Sequence, residues 1–184
     1  MTLTLTTENL QALDCLTHCI RNADKKNATL TKETALKRAL PFGVSLAQLG
    51  KNVEFSCDGK PFDFAMTVAL RDGLAAVPTM HLPGRNSAKQ LPIPDEMQAP
   101  IAILSAEMNV EPATFIQLCL QSAQQWVEQK AAGRSIAKDG QNIMAGLTAA
   151  PKPKPKVGQV VRANEPLGMS RQDVSWAQGG GRSS

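Results

Sequence analysis

The sequence predicts an α+β fold, mainly helical, with about five helices, one small β-hairpin at residues 52–66 and an extended C-terminal tail. Three observations carry this. Apolar residues recur at three- and four-residue steps in several segments, the period of a helix buried along one face. An Asp58-Gly59 pair stands between two runs of alternating character. From Pro151 onward the composition turns to Pro, Gly, Lys and Ser.

Taken in order, residues 7–21 read as the first helix, with Leu10, Leu13, Leu16 (or Thr17) and Ile20 on one face. Thr7 offers an N-cap and Glu8 a first-turn acid. A polar connection follows, and a second helix is predicted from Thr31 up to Pro41, with a short turn ending at Gly50. In the hairpin, Phe55 is expected to face Phe62 and Val53 to face Phe64, because Asp-Gly supplies the positive φ angles of a two-residue turn. Pro61 lacks an N–H, which makes its strand an edge. A third helix is predicted from about Ala65 to Val77.

Residues 78–100 hold five of the twelve prolines and read as an irregular connection, a point at which the domain 1–150 could divide. Helices are predicted from Ile101, with Pro100 in the first turn, and from Pro112 to Gly133. Trp126 is expected to pack against a neighbour. Beyond residue 134 the pattern fades to a weak helical turn. The Pro-Lys run at 151–156 favours polyproline II, about 3.1 Å per residue, because Pro fixes φ and like charges stretch the chain.

Apolar residues make up 42% of the chain, enough for a packed core; aromatics are 4%, with no Tyr, so stacking platforms for single-stranded nucleic acid are scarce. No apolar run reaches the roughly 18–20 residues of a membrane span, and no secretory pattern opens the sequence. A cytoplasmic location and no membrane partner are the expectation. The formal net charge of +4 lies wholly in residues 151–184, which hold Lys152, Lys154, Lys156, Arg162, Arg171 and Arg182 against Glu165 and Asp173. Residues 1–150 are balanced, so the basic isoelectric point belongs to the tail.

Cys15, His18 and Cys19 lie one helical turn apart, but a zinc site needs four convergent ligands and no second close pair exists. Buried, reduced thiols are expected, with no metal and no cofactor. Phosphate-loop, dinucleotide and nucleophile-elbow motifs are absent. The histidines, His18 and His81, have no motif-level partners, so no catalytic residue is named.

Residues 87–130 resemble the ribbon-helix-helix family of DNA-binding dimers. The resemblance would make "KQLPIP" a strand, "DEMQAPIAILSAEM" the first helix, Asn109 the turn and "PATFIQLCLQSAQQWVEQK" the second helix. It implies a homodimer whose paired strands enter the major groove, with Arg85 and Lys89 nearest the DNA. Pro92 and Pro100 interrupt these elements, and five carboxylates against Lys130 give 91–130 a net negative charge.

The sequence as a whole predicts a non-enzymatic interaction or accessory protein whose basic tail binds nucleic acid or a nucleoprotein or protein assembly. The residues expected to make contact are Lys152, Lys154, Lys156, Arg162, Arg171, Trp176, Arg85 and Lys89. Its mosaic character is similar to that of phage and plasmid accessory proteins. The alternatives are the ribbon-helix-helix regulator and an enzyme with an unrecognised site.

Overall fold

The computed structural model describes residues 2–80, 82, 90–138 and 141–142. Its described part is mainly helical, with a small antiparallel sheet, as the sequence predicts. The five α-helices among the described residues are α1 (Thr7–Ala23), α2 (Lys32–Leu49), α3 (Ala65–Asp72), α4 (Asp95–Glu107) and α5 (Pro112–Ala131). The strands are β1 (Phe55–Cys57), β2 (Lys60–Phe62), β3 (Ile136–Lys138) and β4 (Gln141–Asn142), ordered β2-β1-β3-β4. The extended tail expected from Pro151 lies outside the described residues.

Helix α1 starts one residue earlier than its sequence cap. Thr6, not Thr7, is the N-cap: the Asn9 N–H donates to Thr6 Oγ1 at 3.3 Å, and the Thr6 N–H donates to Asn9 Oδ1 at 3.2 Å. This reciprocal pair satisfies two otherwise orphaned amides. Asn9 is buried, and its Nδ2 donates to the Ala113 carbonyl at 3.0 Å and to Gln117 Oε1 at 3.1 Å. The start of α1 is thereby tied to the start of α5. Cys19 lies beside Glu128 near the other ends, so the two helices run parallel.

Helix α2 does not stop at Pro41 but continues to Leu49. Proline removes one amide and frees the carbonyl four residues back. Here Lys37 and Pro41 are exposed, so water can meet that carbonyl, while Phe42, Val44, Leu46 and Ala47 beyond the proline are buried. The burial of those side chains outweighs one lost hydrogen bond. Gly50, at φ 78°, ends the helix. Helix α4 likewise begins at Asp95, not at residue 101, and runs through Pro100; Glu96, whose carbonyl is freed, is exposed.

The hairpin turn forms at Asp58-Gly59, with φ 51° and 76°, and pairs Phe55 with Phe62. Its ladder stops there: Val53 does not pair with Phe64, and the strands are shorter than 52–66. Phe64 instead precedes α3 and packs edge-on against Phe55 and Phe62, with centroids at 5.1 and 5.0 Å. Helix α3 ends at Asp72 rather than Val77, because Gly73 takes φ 85° and a 3₁₀ turn follows at Leu74–Ala76. The weak helical turn expected after 134 is a strand. The Ser135 N–H donates to Asp58 Oδ1 at 2.9 Å, the Asp58 N–H returns to the Ser135 carbonyl at 3.0 Å, and β3 then pairs with β1. Partners about eighty positions away override a local pattern too weak to choose.

Helix α5 is the central element. Phe115, Ile116, Leu118, Cys119, Leu120, Ala123, Trp126 and Val127 are buried on it, and Trp126 packs on Phe42 at 6.4 Å between centroids, as the sequence leads one to expect. It also supplies polar partners to other elements. The N–H groups of Ala65 and Met66 open α3 with no side-chain cap, and they donate to Gln125 Oε1 at 2.8 Å and Ser122 Oγ at 2.9 Å. Gln121 Nε2 donates to the Pro78 carbonyl at 2.9 Å.

Where α2 crosses α5, a methyl group on Gly43 would overlap Cys119: its Sγ, its Cβ at 2.5 Å and its backbone Cα at 2.6 Å. Gly43→Ala is expected to lower stability by about 3 kcal/mol, at the upper end for overpacking, and the melting temperature by roughly 6–12 °C. Adding Cys119→Ala should restore only part, because the Cα clash remains. Ser122→Ala removes one atom and leaves the Met66 amide without a partner; thermal denaturation should show a loss of about 1–3 kcal/mol.

Candidate nucleic-acid interface

Arg85, Lys89, Lys152, Lys154, Lys156, Arg162, Arg171 and Trp176 all lie outside the described residues. The described residues carry a second concentration of positive charge that the sequence reading passed over. Residues 21–38 hold Arg21, Lys25, Lys26, Lys32, Lys37 and Arg38 against Asp24 and Glu33. Counting the whole of 1–150 hides this excess, because residues 91–129 hold five carboxylates and no Lys or Arg.

The fold gathers Arg21, Lys25, Lys26 and Arg38 around the turn between α1 and α2. Helix α1 ends at Ala23, a 3₁₀ turn spans Lys25–Asn27, and α2 starts at Lys32 and runs back along α1. Asp24 folds its carboxylate onto the turn, where Oδ1 accepts from the Lys26 N–H at 2.9 Å. Arg21 Nε donates to the Leu30 carbonyl at 2.8 Å, a neutral acceptor that fixes the guanidinium without cancelling its charge. Arg38 Nη1 donates to Oδ1 of buried Asn27 at 3.3 Å, and Lys32 pairs with Asp14. Lys25, Lys26 and Lys37 are exposed and form no ion pair among the described residues. The carboxyl end of α1 favours cations beside it.

The arrangement suits phosphate. Flexible ammonium groups and a held guanidinium can contact backbone oxygens, which orients a nucleic acid but reads no bases. Arg71 does not add to this surface. It grips Asp63 in two parallel bonds of 2.8 and 3.0 Å and also reaches Asp72 at 2.9 Å. Its hydrogen bonds hold the Asp63 carboxyl below the usual carboxylate range.

Cys15 and Cys19 are half-buried rather than buried, and all four thiols are free. Burial raises both pKa values, helped by the Asp14 charge at Cys15 and by Glu128 and Cys15 at Cys19. Cys119 is fully buried and raised further by desolvation. His18 is exposed, with Nδ1 3.0 Å from Asn22 Nδ2. Among the described residues no three His, Cys, Asp or Glu side chains group to hold a metal. No described helix is long and apolar enough to cross a membrane. In the segment resembling ribbon-helix-helix proteins, Asn109 takes φ 53° between α4 and α5, and Pro92 forms an isolated bridge with Thr4.

Alkylation with iodoacetamide should be slow at Cys15 and Cys19 at neutral pH. It should accelerate roughly tenfold per pH unit toward pH 9, as the thiolate fraction grows. Cys119 should react only on unfolding; mass mapping of labelled thiols checks both.

No family model, curated protein or solved structure matches this chain.

Proposed function

We propose that the protein is a non-enzymatic nucleic-acid-associated accessory factor. In this reading the helical body anchors and orients the molecule, while the basic tail and the basic edge at 21–38 contact phosphate. The observation that carries it is segregation of charge. Residues 151–184 have six bases against two acids, residues 21–38 have six against two, and the remainder is acidic. A chain that merely needed solubility would gain nothing from collecting like charges, which repel one another. Pro-Lys repeats favour binding because a stiff segment loses less conformational freedom on docking.

A second reading, the dimeric ribbon-helix-helix regulator, is favoured by the short connection at Asn109 between α4 and α5. The five carboxylates and absent bases of 91–129 weigh against it.

The test is binding of the full chain to labelled duplex DNA and single-stranded RNA from about 50 to 200 mM salt. Affinity should fall steeply with salt. Replacing Lys152, Lys154 and Lys156 by Ser should reduce the slope by about 2–3, and Lys25→Ser with Lys26→Ser by up to about 2. Salt-insensitive binding, or none, would overturn the reading. A strong preference for one duplex sequence would favour the regulator.

A further inference from the structure

Between Ala99 and Ala106 helix α4 is apolar except at Ser105, although half of that stretch faces outward. Ile101 and Ser105 are buried against the body, while Ala99, Ala102, Ile103 and Ala106 are exposed. These four follow i, i+3, i+4, i+7 spacing, so they form one continuous stripe. Ile103 is 58% exposed, more than any other large apolar side chain of the described residues. A core-facing helix normally turns polar side chains to water at such positions.

The stripe does not stand alone. Beside it, the ends of α2 and α4 and the middle of α3 enclose a cleft of about 390 Å³, lined by Ala47, Ala69, Leu70, Leu104 and Met108. Leu49 is exposed at the end of α2. Met108 is a soft, adaptable lining group suited to receiving another side chain.

The charge around this surface limits what can cover it. Asp95, Glu96, Glu107 and Glu111 are exposed on or just after α4, and Lys51 is the one base lining the cleft. A second copy of the same helix would bring carboxylates to carboxylates with no α4 base to answer them. A segment with an apolar stripe flanked by Lys or Arg would satisfy both features.

We infer that the outer face of α4 and the adjoining cleft form a docking surface for a basic amphipathic helix of a partner protein. Apolar side chains of that helix cover Ile103 and reach the cleft, and its cations answer Glu96 and Glu107. This is the helix-in-groove mode, in which apolar anchors set affinity and the charged rim sets orientation. The inference is independent of nucleic-acid binding, since it uses the acidic side of the body.

The probe is a dye-labelled helical peptide of about 18 residues built from Leu and Lys, with Leu at i, i+3, i+4, i+7. A shuffled peptide of the same composition is the control. Anisotropy with the full chain at about 0.15 M salt should show saturable binding, at least tenfold tighter than to the shuffled peptide. Ile103→Asp should weaken it about tenfold or more, and Glu96→Lys with Glu107→Lys should weaken it several-fold and flatten its salt dependence. Lys25→Ser with Lys26→Ser should leave it unchanged. Ile103 is exposed, so the variant should keep its helical circular dichroism; Ala99→Glu is a second disruption of the same stripe. Equal binding of the shuffled peptide, or indifference to both stripe variants, would overturn the proposal. So would a dimer seen by sedimentation that Ile103→Asp dissolves, which would give the face to a second copy.

Discussion

Helix α5 must both fill the core and satisfy backbone amides that other helices leave bare. A buried N–H without a partner costs as much as several well-packed methyl contacts return. Ser122 and Gln125 accept from the opening amides of α3, and Asn9 of α1 holds the Ala113 carbonyl and Gln117. The glutamines at 117, 121 and 125 recur every four residues and reach three different parts of the chain. Such bonds require one register. Sliding α1 or α3 by a turn would strand buried polar groups, whereas a purely apolar interface would tolerate the slip.

The close crossing of α2 on α5 follows from the same centrality. Gly43 lets the two backbones approach at Cys119. That approach brings Phe42 onto Trp126 and edge-on to Phe64 at 5.6 Å. Phe55 and Phe62 of the hairpin then complete the cluster. Among the described residues, Phe42, Phe55, Phe62, Phe64 and Trp126 thus join sheet to helices.

Function, on the reading proposed above, belongs to the outside of this scaffold. Folding back at the 3₁₀ turn brings the end of α1 beside the start of α2 and concentrates cations at that edge, while α4 presents carboxylates and apolar groups elsewhere. A neutral total can therefore hide two surfaces of opposite kind, each suited to a different class of partner.

Much of the architecture was legible. Periodicity located α1 and α5, and Asp58-Gly59 set the hairpin register, since this pair readily takes the two positive φ angles of a type I′ two-residue turn. Proline misled at positions 41 and 100, because its local cost is fixed but the burial gained beyond it depends on distant neighbours. The strand at 136–138 was invisible for a like reason: its hydrogen-bond partners are on β1. The basic edge was countable in 21–38, yet balance over the whole body masked it. The outward apolar stripe of α4 could not be told from a core face, because period alone does not say which side meets the protein. By itself the sequence determined helix periods, the turn and the charge on each segment, all set by neighbours within a few residues. Only the tertiary structure decided which faces are covered, which prolines are tolerated and which charges share an edge, because those depend on contacts between residues far apart in the chain.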